Sequence, residues 1–234
     1  MSAKLRIRQP KYYIASVGNL RDYITVLSIA VAAITGLVRI KKINPAFYPF
    51  IIVIWMGLLN ECTSLYLIKV LHRHTMVNTN VNILFEALLV CWQFEKWGLF
   101  DKSRKLFYAI LVFVAAAWII ENFIFFSIHY FSSYAYIANS FILVLLSISQ
   151  VNELISRERR SILKNPIFLI CITFIAYYTC AILVEAFILY GLNEDVHFIS
   201  SIFYIFLGIN VIANINFTIA ILWIPTKQRF TLPS

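Results

Sequence analysis

Residues 166–190 read PIFLICITFIAYYTCAILVEAFILY, and this stretch decides the fold. Its 25 residues hold a single charged side chain, Glu185. A helix rises about 1.5 Å per residue, so about 20 apolar residues cross the roughly 30 Å hydrocarbon core of a bilayer. The stretch is therefore long and apolar enough to form a transmembrane helix.

Six further stretches share this length and apolar character. They occur as long apolar runs and not as alternating residues, which indicates helices and disfavours a transmembrane barrel. The sequence therefore predicts an all-α fold: a polytopic integral membrane protein with a single seven-transmembrane-helix bundle over residues 1–234 and an N-terminal tail at 1–22. The predicted spans cover residues 23–40, 49–71, 77–97, 105–129, 134–155, 166–190 and 197–224.

The composition excludes a soluble globular domain. The 234 residues are 61% hydrophobic and 13% charged, whereas a soluble domain is about 45–50% apolar and about 25% charged. The net charge of +9 would favour nucleic acid in a soluble protein, but the sequence contains no recognition helix or basic-aromatic groove. We expect the lipid bilayer as the partner, and no nucleic acid.

The Lys and Arg residues predict the orientation. With the N-terminus outside, the cytoplasmic segments hold thirteen of the 20 basic residues and the outer segments hold seven. Because cytoplasmic loops are enriched in Lys and Arg, this count favours an outer N-terminus and a cytoplasmic C-terminus, although the basic tail opposes it. Two cytoplasmic clusters are either solvated helix ends or a docking surface for a protein partner: Lys102, Arg104 and Lys105, and Arg157, Arg159 and Arg160.

Four glutamates lie inside predicted spans: Glu61, Glu86, Glu121 and Glu185. An ionised side chain at the centre of a span costs at least about 2.5–3.5 kcal/mol, and no Lys or Arg lies at a similar depth. The four carboxyls must therefore be protonated, hydrated, hydrogen-bonded or matched by a bound cation. In the predicted orientation all of them lie in the outer half of the membrane, roughly 8–15 Å deep.

Amide and hydroxyl side chains accompany these acids on the same helix faces. Side chains four or seven residues apart lie on one face of a helix, and lipid cannot satisfy polar groups there, so these faces should point inward. We predict an acidic cavity that opens outward. Alternatively, the polar groups only join helices, at roughly 0.6 kcal/mol per hydrogen bond. Besides the four glutamates, the candidate cavity residues are Asn60, Asn82, Asn122, Asn139, Tyr178, Asn210 and Asn214.

The histidines form a second pattern. His72, His74, His129 and His197 map to outer loops or helix ends. With an acid, such residues can bind Zn²⁺ or Cu²⁺, but hydrated interfacial histidines are the simpler interpretation. We predict no resident cofactor, and a bound cation stays possible.

Six short segments of the sequence form a recognisable combination. They are Asn60-Glu61, Trp92-Gln93-Phe94, Lys96-Trp97-Gly98-Leu99-Phe100, Ile120-Glu121-Asn122-Phe123, Lys164-Asn165-Pro166-Ile167-Phe168 and Leu222-Trp223-Ile224-Pro225. Together they resemble a group of uncharacterised bacterial seven-helix membrane proteins. The resemblance implies a bacterial inner membrane and implies no activity.

The sequence favours a receptor-like or sensory protein over an enzyme. It contains no nucleotide-binding loop, HExxH, GxSxG or kinase signature. We expect the acidic cavity to bind a cation or a small polar ligand and to signal to a cytoplasmic partner. The alternatives are a proton- or cation-coupled transporter that uses the same acids, and an intramembrane metal-dependent lipid hydrolase that uses the histidines.

Overall fold

The computed structural model describes residues 20–157, 162–189 and 196–225. Seven α-helices run through these residues, and each occupies one of the predicted apolar stretches. The all-α class is therefore confirmed. The helices are α1 (Leu20–Arg39), α2 (Tyr48–Lys69), α3 (Met76–Lys96), α4 (Arg104–Ile119), α5 (Ser133–Arg157), α6 (Pro166–Leu189) and α7 (Val196–Trp223).

Five of these helices are long and apolar enough to cross a membrane. Two of them are extended: a 3-10 turn (Pro45–Phe47) precedes α2, and a π-helical turn (Ile120–Phe125) continues α4. The apolar part of α1, Tyr23–Arg39, is shorter. The helix α3 is not among the five because its amide and carboxyl side chains lower its hydropathy. The five spans are Pro45–Lys69, Arg104–Phe125, Ser133–Ser156, Pro166–Leu189 and Ser201–Trp223.

The outer surface of the helices is apolar. Val38 is 75% exposed, Val112 is 67% exposed and Phe125 is 72% exposed. Exposing large apolar side chains on every helix is unfavourable in water and costs nothing in lipid. This surface and the five long apolar helices belong to an integral membrane protein.

Six helices form a closed ring. Neighbouring contacts run from α1 to α2, α3, α5, α6, α7 and back to α1. The remaining helix, α4, packs against α3 and α5 from outside the ring. Side chains of the six ring helices can therefore reach a shared centre, whereas those of α4 reach the groove between α3 and α5.

A cluster of phenylalanines packs between the ring helices toward one end of the bundle. Phe50 and Phe217 have ring centroids 5.3 Å apart, Phe174 and Phe217 are 5.4 Å apart, and Phe94 and Phe174 are 6.5 Å apart. All the pairs are edge-to-face, the favoured geometry for aromatic rings. We call Phe50, Phe94, Phe174 and Phe217 the phenylalanine plug. It joins α2, α3, α6 and α7.

Side chains from neighbouring helices satisfy the helix ends on the plug side. Gln93 accepts the Phe50 N–H at 2.7 Å and donates to the Ala46 carbonyl at 2.6 Å, which fixes the start of α2 against α3. The Arg39 guanidinium donates to the carbonyls of Ile221 and Leu222 at the end of α7. Both contacts satisfy backbone groups that a helix terminus leaves without a partner.

Candidate functional site

A cavity of about 360 Å³ lies inside the six-helix ring, and we call it the ring cavity. All six ring helices line it, α4 does not, and Phe174 and Phe217 of the plug form its floor. The polar residues that helical periodicity predicted to face inward therefore lie around one cavity. Eight residues predicted from the sequence are among its lining: Asn60, Glu61, Asn82, Glu86, Tyr178, Glu185, Asn210 and Asn214.

The cavity is acidic. Glu61 on α2, Glu86 on α3 and Glu185 on α6 approach it from three different helices. Among the lining side chains that the structure describes, none is Lys, Arg or His. The described lining therefore holds three carboxyl groups and no cationic side chain, and a bound cation would favour their ionised form.

Glu86 is held by neutral donors. The Tyr178 hydroxyl donates to its Oε1 at 2.8 Å, and the Asn82 amide donates to its Oε2 at 3.4 Å. These two contacts orient the carboxyl group without neutralising it. Because Tyr178 lies on α6 and Glu86 on α3, the first contact also joins two helices that are separated by α5 in the ring.

Glu185 is a buried carboxyl in the cavity lining. Its side chain is 5% exposed, and Ser133 at the start of α5 hydrogen-bonds to it. Its Oε2 atom has no hydrogen-bond partner among the described residues. Buried polar atoms in folded proteins are nearly always hydrogen-bonded, so an unpartnered carboxyl oxygen in a cavity lining marks a position for a donor.

Two tyrosines that the sequence analysis missed complete the polar wall. Tyr136 on α5 and Tyr177 on α6 both line the cavity, and the Tyr177 hydroxyl interacts with the side chains of Tyr136 and Asn210. Asn210 in turn accepts from the Asn214 amide at 2.9 Å. The position of Tyr136, three residues after Ser133 on the same face of α5, was a usable signal. No periodicity marks Tyr177.

Asn60 is engaged by the neighbouring helix. The Asn78 amide donates to the Asn60 Oδ1 at 2.8 Å and to the Ser64 Oγ at 3.2 Å. These hydrogen bonds join α2 to α3 beside the cavity. Asn60 thus combines a lining position with a structural contact.

The structure places Glu121 away from the cavity. This residue lies in the π-helical turn that follows α4, and its carboxyl accepts the N–H groups of Tyr134, at 3.1 Å, and of Ala135. A carboxylate at the first turn of a helix satisfies free N–H groups and favours the helix dipole. Because α4 lies outside the ring, Glu121 contacts the outer side of α5, while Glu185 contacts Ser133 of the same turn. Three of the four predicted glutamates therefore line the ring cavity, and Glu121 does not.

Asn122 belongs to a buried network around Asn80. The Asn80 amide donates to the carbonyls of Ile128, at 3.0 Å, and Tyr130, at 2.6 Å, and to the Asn122 Oδ1 at 3.3 Å. Its Oδ1 accepts the Ser132 N–H at 3.1 Å. This network fastens the loop between the π-helical turn and α5. Asn80, which is fully buried, was not predicted from the sequence.

Asn139 is also outside the lining of the ring cavity. It is 2% exposed, and neither its Oδ1 nor its Nδ2 has a hydrogen-bond partner among the described residues. The same holds for the Ser140 Oγ and the Gln150 Oε1. These three residues form a buried polar row along α5, which we call the α5 row.

The described side chains among the histidines and the basic clusters lie at the surface. His72, His74 and His129 are exposed, and the side chain of His197, in the first turn of α7, lies outside the described residues. In the described parts of the chain, no three His, Cys, Asp or Glu side chains are grouped as a metal ion requires. Lys102, Arg104 and Lys105 are exposed before and at the start of α4, Arg157 ends α5, and Arg159 and Arg160 lie outside the described residues.

Comparison with known proteins found no family model, no curated protein and no solved structure that matches the chain. The resemblance to bacterial seven-helix proteins therefore stays a prediction. The ring cavity is the feature of the molecule from which a function can be inferred.

Proposed function

We propose that the protein is a receptor-like integral membrane protein whose ring cavity binds a small cationic ligand. One observation carries the proposal: Glu61, Glu86 and Glu185 line one cavity without a basic side chain among its described lining. Ionisable residues inside membranes are costly and typically mark functional sites. A bound cation would supply a positive charge beside Glu86 and Glu185, which the described lining does not provide.

The membrane arrangement that we propose has seven spans. The helices α1 and α3 join the five long apolar helices, because α3 has 21 residues and is packed between α2, α4 and α5. Neighbouring helices, not lipid, then surround its polar side chains. The basic residues favour a cytoplasmic C-terminus, which places the ring cavity in the outer half and the plug toward the inside. The resemblance favours a bacterial inner membrane.

The plug favours a receptor over a transporter. The floor of the cavity is closed by packed phenylalanine rings, and Tyr178 packs on Phe174 with centroids 5.6 Å apart. A cation in the cavity attracts the Glu86 carboxylate without displacing its donors, which alters its hydrogen bond with Tyr178. Tyr178 packs against Phe174 one turn away, so a shift of Tyr178 changes the position of Phe174. Because Phe174 contacts Phe50, Phe94 and Phe217, occupancy of the cavity biases the packing of four helices toward the inner face. The basic clusters there are the proposed docking surface for a cytoplasmic partner.

A binding panel tests the cation part of the proposal. The purified protein in lipid nanodiscs is screened by thermal shift against Na⁺, K⁺, Ca²⁺ and organic ammonium ions. We expect at least one cation to raise Tm in the wild type and to lose this effect when Glu61, Glu86 and Glu185 are all replaced by Gln. The control is Glu95→Gln, because Glu95 pairs with Lys96 at 3.4 Å away from the cavity. Absence of any cation effect, or an equal effect in the triple variant, would contradict the proposal.

A distance measurement tests the signalling part. Spin labels at the exposed residues Lys102 and Leu163 report on the inner ends of α4 and α6. We expect the stabilising cation to change the label distance in the wild type and to leave it unchanged in the triple Gln variant. An unchanged distance in both proteins would argue against transmission to the inner face.

A second candidate function is a proton- or cation-coupled transporter. The observation that favours it is the α5 row: its buried atoms on Asn139, Ser140 and Gln150 lack hydrogen-bond partners among the described residues. Bound waters would satisfy these atoms, and a water path along α5 would run beside the plug. Solute flux in proteoliposomes that is lost in the Glu86→Gln/Glu185→Gln variant would favour transport, and the absence of flux in the wild type would favour the receptor.

A further inference from the structure

We infer that the ligand of the ring cavity is an organic ammonium ion that carries at least one N–H group and an apolar substituent. The inference rests on the proposed function and names its ligand class. It separates three kinds of cation that the carboxyls alone do not distinguish: metal ions, quaternary ammonium ions, and primary or secondary ammonium ions.

The lining disfavours a metal ion. Ca²⁺ takes six to eight oxygen ligands at about 2.3–2.6 Å, which requires several carboxyl oxygens to converge. Both oxygens of Glu86 already accept hydrogen bonds, from Tyr178 and Asn82. Within the described residues, no three His, Cys, Asp or Glu side chains are grouped as a metal site. The carboxyls are instead spread over three helices of a wide cavity.

The aromatic lining favours an organic cation. Besides the plug residues Phe174 and Phe217, the cavity is lined by Phe131, Phe203 and Phe206, and by three tyrosines. Aromatic faces attract ammonium groups and bury hydrocarbon, and recognition of organic ammonium ions commonly uses such rings. Tyr177 and Phe206 pack with centroids 5.6 Å apart, which presents a continuous aromatic surface. A hydrated inorganic ion gains nothing from this surface.

Glu185 selects for N–H groups. Its Oε2 atom is buried and lacks a hydrogen-bond partner among the described residues, so it requires a donor. A primary or secondary ammonium ion supplies a charged donor, which forms a stronger hydrogen bond than a neutral donor. A quaternary ammonium ion has the charge but no N–H group. We therefore place the ammonium group at Glu185 and the apolar substituent against the aromatic lining.

The test uses a matched set of probes. Isothermal titration calorimetry in nanodiscs compares 2-phenylethylammonium with its N,N,N-trimethyl analogue, with neutral 2-phenylethanol, with anionic phenylacetate and with Ca²⁺. We expect 2-phenylethylammonium to bind at least about tenfold more tightly than the trimethyl analogue, and the alcohol and the anion not to bind. This comparison needs only the wild-type protein, so it does not depend on how a variant folds.

Variants locate the ammonium group. Glu185→Gln keeps the shape of the side chain, and we expect it to weaken 2-phenylethylammonium at least about tenfold. Glu95→Gln is the control, because Glu95 pairs with Lys96 at 3.4 Å away from the cavity and its replacement should leave the affinity unchanged. Equal affinity for the primary and quaternary ions, or an unchanged affinity in Glu185→Gln, would overturn the inference. Tight binding of Ca²⁺ alone through the three glutamates would overturn it and leave the proposed function standing, whereas no cation binding at all would overturn both.

Discussion

The hydroxyl of Tyr178 on α6 donates to the Oε1 of Glu86 on α3 at 2.8 Å, across the ring cavity. This hydrogen bond joins the acidic lining to the phenylalanine plug, because Tyr178 also packs against Phe174. It is the contact through which occupancy of the cavity can reach the other side of the molecule.

Replacing Tyr178 by Phe should separate binding from transmission. The change removes one hydroxyl and keeps the ring that packs on Phe174. We expect Tyr178→Phe to bind 2-phenylethylammonium, because Glu185 and the aromatic lining are intact, but to show a smaller ligand-dependent distance change between labels at Lys102 and Leu163. The same distance change as in the wild type would show that transmission follows another route.

Glu121 should matter mainly for stability. Glu121→Ala leaves the N–H groups of Tyr134 and Ala135 without their acceptor, which costs about 1–3 kcal/mol. We expect a lower Tm in thermal unfolding and retained binding of 2-phenylethylammonium, because Glu121 is not part of the cavity lining. The exposed-pair variant Glu95→Ala is the control and should retain the wild-type Tm. Loss of ligand binding in folded Glu121→Ala would place Glu121 in the site.

Asn80 should be among the most sensitive positions in the chain. Asn80→Ala removes the amide contacts to Ile128, Tyr130 and Ser132 and leaves their buried backbone groups unsatisfied. We expect a loss of about 3 kcal/mol or more in unfolding free energy. The exposed Asn152 on α5 provides the matched substitution, and Asn152→Ala should have little effect. Similar stability of the two variants would remove the structural role given to Asn80.

Replacing Gly98 by Ala should lower the stability of the protein, whereas replacing Gly208 by Ala should not. Gly98 ends α3 with φ of 85°, and an added Cβ would lie 2.9 Å from the Asp101 Oδ2. A residue with a Cβ in this left-handed region costs about 1–2 kcal/mol, so Gly98→Ala should lower Tm. Gly208 on α7 has no heavy atom within 4 Å of an added Cβ, so Gly208→Ala should keep or raise Tm. Equal effects at both sites would contradict this account of the α3 end.

The positions of the helices could be predicted from the sequence because the length of an apolar run sets the length of a span. Depth along a helix could also be predicted, since each residue adds a fixed rise. Span position and depth together predicted that Glu61, Glu86 and Glu185 lie at similar depth. Helical periodicity predicted that Asn82 shares a helix face with Glu86, and Tyr178 with Glu185. The lining residues found in this way are local features of single helices.

The arrangement of the helices around the ring could not be predicted in the same way. Depth does not show that α4 packs outside the ring, so Glu121 looked equivalent to the other three glutamates. The π-helical turn that presents Glu121 to α5 depends on partners in another helix, the N–H groups of Tyr134 and Ala135. Tyr177 was missed because its role comes from Tyr136 and Asn210 on neighbouring helices and not from its own spacing.

The most direct test of the central claim is an experimental structure of the protein in nanodiscs at a saturating concentration of 2-phenylethylammonium. The account predicts Glu61, Glu86 and Glu185 around one cavity, with density for the ammonium group at the Oε2 of Glu185 and for the phenyl group against Phe203 and Phe206. Glutamates that face lipid or lie far apart, or an empty cavity with the probe bound elsewhere, would contradict it.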